Sequence, residues 1–167
     1  GDASQAEAYF RQALTLDLFT PAVVNLANLY QTQGQEPGAE RVLREGLARA
    51  PQEPTLHHTL GLALARQQRL TEAVDELAQA SQLAPEYLRY RYVYAVALNS
   101  TAQAPAAIKV LEAAHKDFPQ DQEVLLGLVT FNRDLGELAA AKRWAKRLLA
   151  LAPNEPSLQQ LLKSLDQ

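Results

Sequence analysis

Residues 54–87 read PTLHHTLGLALARQQRLTEAVDELAQASQLAPEY. Leu60 and Leu64, then Val74 and Leu77, recur at spacings of three and four, the rhythm of two helices that each bury one face. Gly61 follows Leu60, Ala73 opens the second rhythm, and Pro85 closes the segment. Working outward, the same slots return every 34 residues in both directions. Alanine stands at Ala39, Ala73, Ala107 and Ala141, and proline at Pro51, Pro85, Pro119 and Pro153. With nine prolines in 167 residues, the coincidence of two such ladders identifies a repeat array.

The remaining slots fill in register. The first unit supplies Val23, Leu26-Ala27, Tyr30, Ala39, Leu43 and Pro51, and the second His57, Leu60-Gly61, Leu64, Ala73, Leu77 and Pro85. The third has Arg91, Tyr94-Ala95, Leu98, Ala107, Leu111 and Pro119; the fourth has Leu125, Leu128-Val129, Asn132, Ala141, Ala145 and Pro153. This pattern resembles the tetratricopeptide repeat family, W-x2-L-G-x2-Y followed by A-x3-F and P. No unit has Trp in the first slot, and Asn132 stands where Tyr is usual. The resemblance implies an all-α fold, a right-handed α-solenoid of antiparallel helix pairs with about ten helices. It divides a single domain, residues 1–167, into a half repeat (1–19), four repeats (20–53, 54–87, 88–121 and 122–155) and a capping helix (156–167).

Small residues belong where two helices of one unit cross, because a large side chain would hold the backbones apart. Ala27, Gly61, Ala95 and Val129 are expected to face Ala39, Ala73, Ala107 and Ala141. Gly34 and Gly136 suit left-handed helix ends, and Pro37, Pro54, Pro105 and Pro156 suit first helical turns. The stretch Tyr87 to Tyr94 alternates and is rich in aromatics, which locally reads as strand. The repeat period overrules it and predicts a helix. At the C-terminus, Leu158, Leu161, Leu162 and Leu165 share a face opposite Gln159, Gln160, Lys163 and Ser164, the pattern of a solvating cap. At the N-terminus, Ala6, Phe10 and Ala13 match only the second helix of a unit. An upstream helix, or self-association through this half repeat, is expected to cover it. Gly1 in place of methionine suggests an excised region or a mature product.

Composition bounds the function. At 47% hydrophobic and 21% charged residues, the chain can bury a continuous core. A net charge of −3 gives no general attraction to phosphate backbones or anionic lipids, so no nucleic-acid partner is expected. No apolar run approaches the roughly 20 residues of a membrane span, so no membrane insertion is expected. The reading is of a soluble protein, cytoplasmic or periplasmic. The absence of cysteine excludes disulfides, thiolate metal sites and a cysteine nucleophile.

No catalytic constellation emerges, and no cofactor or metal is expected. His57 and His58 are adjacent and point roughly 100° apart on a helix, unlike an i, i+4 chelating pair. The glycines form no phosphate loop, and Asp75-Glu76 reads as a solvated helix face.

The resemblance implies binding of a partner protein or peptide in the concave groove lined by first helices. Projection places Asn25, Asn28, Gln31 and Thr32 there from the first unit, and His58, Leu62, Ala65 and Arg66 from the second. Arg89, Tyr92, Val96 and Asn99 follow from the third, then Leu126, Thr130 and Arg133 from the fourth. Amides can pair with a peptide backbone, Tyr92 offers flat apolar area, and the arginines can hold carboxylates. The family's clamp for chaperone C-terminal carboxylates is not present: Val24, Thr59 and Val93 fill its Lys, Asn and Arg slots, leaving only Asn28 and Arg89 compatible.

Two further features stand out. Lys142, Arg143, Lys146 and Arg147 form a basic stripe around Trp144, suited to an acidic partner or phosphate. The segment Arg91 to Leu98 is similar to repeat regions that follow multihaem cytochrome c domains in bacteria. That similarity implies an alternative role as the docking region of a larger enzyme.

Overall fold

The computed structural model describes residues 8, 12 and 19–165. Among the described residues there are nine helices of nine or more residues and no strand. They are α1 (Phe19–Thr32), α2 (Glu36–Arg49), α3 (Pro54–Arg66), α4 (Leu70–Leu83), α5 (Leu88–Ser100), α6 (Ala104–Asp117), α7 (Gln122–Asp134), α8 (Leu138–Leu151) and α9 (Pro156–Ser164). The expected half repeat at residues 1–19, and with it the expected self-association surface, lies almost wholly outside the described residues. By internal contacts the chain falls into two compact units, Gly1–Glu86 and Tyr87–Gln167.

Each unit packs its helices as hairpins, α1 on α2 and α3 on α4 in the first, α5 on α6 and α7 on α8 in the second. The aromatic stretch that locally reads as strand is helix α5. The reason for the helix ends is visible in the backbone. The residues before the four periodic prolines, Ala50, Ala84, Phe118 and Ala152, have φ of −132°, −137°, −126° and −139° and leave the helical region. Steric pressure from the proline ring on the preceding residue ends the second helix of each pair at one register position.

The turn inside each pair is equally regular. Gly34, Gln68, Ala102 and Gly136, spaced by the repeat period, all have positive φ, at 70°, 61°, 60° and 84°. Each donates its N–H to the carbonyl three residues back, and the next residue donates to the carbonyl five residues back, for example Gln35 to Tyr30 at 2.8 Å and Gln103 to Leu98 at 2.9 Å. This paired closure satisfies carbonyls that a helix end otherwise orphans. Glycine occupies the slot twice, as expected. Gln68 and Ala102 adopt the same left-handed conformation with a side chain in place.

The crossing positions are packed as small residues require. Ala27, Ala39, Ala73, Ala95, Ala107, Val129 and Ala141 are at most 1% exposed. A Cβ built on Gly61 would lie 2.6 Å from Leu77 Cγ and 3.2 Å from the Ala73 carbonyl oxygen. No side chain fits there. Leu26, Leu43, Leu60, Leu64, Leu77, Leu111, Leu125 and Leu128 are fully buried around these crossings. Asn132, in the slot where an aromatic is usual, is also buried, and its side-chain amide donates to the Leu128 carbonyl at 2.7 Å. That bond removes the cost of an unpaired buried amide. At the C-terminus Leu165 is buried while Gln159, Gln160 and Lys163 are exposed, so α9 covers the last hairpin with a polar outer face.

Candidate functional site

The first helix of each pair carries the residues projected as a binding face. In the first unit, Asn25 and Asn28 on α1 are exposed and Gln31 is half-buried. Thr32 turns back to donate to the Leu29 carbonyl at 2.7 Å, which commits its proton and leaves the hydroxyl oxygen as an acceptor. On α3, His58 and Leu62 are half-buried and Arg66 is exposed, 3.8 Å from Glu36. Glu36 was not legible as a neighbour because it opens α2, the second helix of the preceding pair. The side-chain amide nitrogens of Gln31 and Gln67 are buried without a partner among the described residues. Asn25 sits one position off the others. Its counterparts by the 34-residue period are Thr59, Val93 and Gly127, whereas His58 corresponds to Tyr92 and Leu126.

In the second unit the face is more apolar. Val96 and Leu126 are 40% and 46% exposed. Tyr92 is half-buried, because its ring edge lies 3.5 Å from where a side chain on Gly127 would begin. Tyr92 thus bridges α5 and α7, whereas Tyr87, at 58% exposure, is the more open member of the tyrosine cluster. Burial, and secondarily the nearby Glu123 carboxylate, raises the Tyr92 phenol pKa, so its hydroxyl remains a donor at neutral pH. Val96 follows Tyr92 by one helical turn and Leu126 adjoins Gly127, so the two exposed apolar residues lie at this contact. Arg89 is exposed and Asn99 and Thr130 are half-buried. Arg133 is exposed and already bonded to Asp134 at 2.8 Å. The missed signal was Gly127 itself: in a slot otherwise held by Asn, Thr and Val, a Cβ would meet Leu111 Cδ1 at 2.8 Å and would only touch the Tyr92 ring, at 3.5 Å.

The histidine adjacent to the face has a structural part. His57 Nδ1 lies 2.7 Å from a Glu76 carboxylate oxygen and Nε2 lies 3.0 Å from the Pro51 carbonyl, tying α3 to α4 and to the preceding turn. Glu76 is therefore more than a solvated face residue. Among the described residues no group of three or more His, Cys, Asp or Glu is placed to hold a metal ion, and no helix is long and apolar enough to cross a membrane.

The basic stripe is rearranged relative to its sequence reading. Trp144 is 6% exposed, packed edge-on against the His115 ring with centroids 5.1 Å apart. Arg147 lies over the indole at 5.0 Å and Arg143 at 5.5 Å. The stripe is joined to α6 through an aromatic contact that spans 29 residues of sequence.

Tetratricopeptide repeat family models match residues 24–87 and 102–165. The chain belongs to the tetratricopeptide repeat family. Its fold is similar to several solved structures. MamA from Desulfovibrio magneticus RS-1, residue 41 to the end, superposes with a TM-score of 0.71 at 21% identity, covering 99% of this chain and 85% of that one. A tetratricopeptide repeat protein from Parabacteroides merdae gives 0.79 at 15% identity, covering 99% and 66%. YrrB, described as a tetratricopeptide repeat protein with an unusual peptide-binding site, gives 0.76 at 17% identity, covering 96% and 84%. Comparison with curated proteins finds no match. All of these identities are low, and the likeness establishes an all-α, solenoid-type array of helix hairpins.

Proposed function

We propose that this protein is a non-catalytic interaction scaffold whose first helices hold a peptide segment of a partner protein. The observation that carries the reading is the pair of exposed apolar residues Val96, one turn from Tyr92, and Leu126, next to Gly127, at the Tyr92–Gly127 contact. Apolar side chains beside a rigid aromatic, with Arg89, Asn99 and Thr130 around them, are the composition of a small interface core and its polar rim. In the first unit, Asn28, Gln31, His58, Leu62 and Arg66 supply a more polar face suited to a peptide backbone and to acidic side chains. The peptide-binding site attributed to YrrB supports peptide recognition as a use of this fold.

Selection of peptides from a random display library against the purified chain tests the reading. Selected peptides are expected to lose about tenfold or more in affinity toward a Val96→Glu/Leu126→Glu variant, the equivalent of about 1.4 kcal/mol. Because both positions are exposed, the variant is expected to keep its helical circular dichroism. Unchanged affinity for every selected peptide would overturn the assignment of this face.

A further inference from the structure

A second feature lies away from these first-helix faces, in the second unit, where Lys109, Glu112, His115 and Lys116 of α6 and Trp144 and Arg147 of α8 line one surface depression. Lys109, Lys116 and Arg147 point charge into solvent around it, with Glu112 the one acidic member. Arg147 Nη1 lies 3.0 Å from His115 Nε2. A guanidinium only donates, so Nε2 accepts and the imidazole proton sits on Nδ1. Burial and then the neighbouring Arg147 lower the His115 pKa, which keeps the ring neutral in this tautomer. His115 Nδ1 and Trp144 Nε1 are then two N–H donors, both buried and both without an acceptor among the described residues. Trp144 itself is 94% covered, so leaving its N–H without an acceptor carries an energetic cost that a bound acceptor would relieve.

We propose that this depression binds a carboxylate of an acidic segment in a protein partner. Three cations and two unpaired N–H donors around an indole ring are complementary to an anion carried on an organic chain. Engagement of the carboxylate by Arg147 competes with its contacts to His115 Nε2 and the Trp144 ring, so binding is expected to alter the surroundings of the indole. Glu112 at the rim opposes a dianion more than a monoanion, which favours carboxylate over phosphate. The binding is independent of the α5/α7 face, and either assignment can fail alone.

Trp144 is the only tryptophan of the chain, so its fluorescence reports directly on the site. The full chain is titrated with an end-blocked hexaglutamate peptide and, separately, with inorganic phosphate. Hexaglutamate is expected to give a saturable change in emission that weakens with added salt, with phosphate giving none at the same charge concentration. In a Lys109→Glu/Lys116→Glu variant, both residues being exposed, affinity is expected to fall at least about tenfold. Lys163→Glu on α9, outside the depression, is expected to leave it unchanged. The proposal is overturned if hexaglutamate produces no saturable change, if phosphate produces the same response, or if the lysine variant binds like wild type.

Discussion

The seams between consecutive second helices differ sharply in the two units, although both are built on one 34-residue template. In the first unit, Arg69 grips Glu72 through two bonds of 2.7 and 2.6 Å and reaches Glu40 at 2.6 Å. Arg44 closes the ring with bonds of 2.9 Å to Glu40 and 3.3 Å to Glu72. In the second unit the corresponding seam is His115 against Trp144, roofed by Arg147. The crossings inside the pairs scarcely vary, because only small residues let the backbones meet. Seams admit a charged ring in one unit and an aromatic stack in the other, because long side chains meet there instead of backbones. The template therefore carries the fold, and the seams are where one unit acquires properties that the other lacks.

If the template sets stability, equivalent core residues should cost the same in either unit. Leu60 and Leu128 occupy one register slot and are both 0% exposed. Each Leu→Ala change is expected to destabilise by about 2–5 kcal/mol through lost transfer energy and a cavity. Urea denaturation followed by circular dichroism measures this. A large disparity between the two would show that the units do not share a packing rule.

Glycines in the two units should diverge. At Gly61 a methyl would meet Leu77 Cγ at 2.6 Å, a branch point with no room to retreat, and the Ala73 carbonyl behind it. Gly61→Ala is expected to cost about 1–3 kcal/mol by overpacking. At Gly127 the nearest atom is the terminal Leu111 Cδ1 at 2.8 Å, which can rotate aside. There the gain of about 1 kcal/mol in helix propensity offsets the crowding, and Gly127→Ala is expected to be close to neutral in the same denaturation assay.

The left-handed turn slot divides each unit within itself: Gly34 and Gln68 in the first, Ala102 and Gly136 in the second. A side chain in this conformation costs roughly 1–2 kcal/mol, part of which the lower unfolded-state entropy of a non-glycine residue returns. Ala102→Gly and Gln68→Gly are each expected to stabilise by about 0.5–1 kcal/mol, and Gly136→Ala to destabilise by a similar amount. Melting temperatures moving the other way would mean that hydrogen-bond closure does not force the positive φ.

Legibility in the sequence followed the same division. Proline and alanine ladders announced the hairpins because steric demands at helix ends and crossings admit few residues, so each repeat had to use the same ones. Gln68 and Ala102 concealed their conformation, since closure imposes it without requiring glycine. On the candidate faces, helical projection listed Val96, Leu126 and Tyr92 together, and could not show that Tyr92 is half-buried, because its neighbour on α7 lies 35 residues away in sequence. Of the His115–Trp144 depression, the sequence showed only the α8 half, Trp144 and Arg147 within the basic stripe, and not its α6 half. Its members lie 29 residues apart, off the 34-residue register, and only stacking of α6 beside α8 unites them.

The smallest effects should separate the seams by pH. Burial raises the Glu40 carboxyl, but hydrogen bonds from Arg44 and Arg69 outweigh it, and the bond from Arg69 lowers Glu72, so both lie below the ordinary value of 4.5. Depressed carboxyls contribute stability that is present above the unfolded value and fades as pH falls through the folded one. The first seam is thus expected to weaken only below 4.5. His115 is lowered from 6.5, chiefly by burial. Its neutral form is favoured on folding, so acid removes that contribution starting at 6.5, where the unfolded histidine begins to bind protons the folded one refuses. Mild acid should therefore loosen the aromatic seam first, seen as a change in Trp144 emission that His115→Gln abolishes. Stronger acid should then lower the melting temperature of wild type more than that of Glu40→Gln/Glu72→Gln. Glu72 is exposed and Glu40 and His115 are only half-buried, so screening keeps both shifts small, and their order along the pH axis, not their size, is what distinguishes a charged seam from an aromatic one.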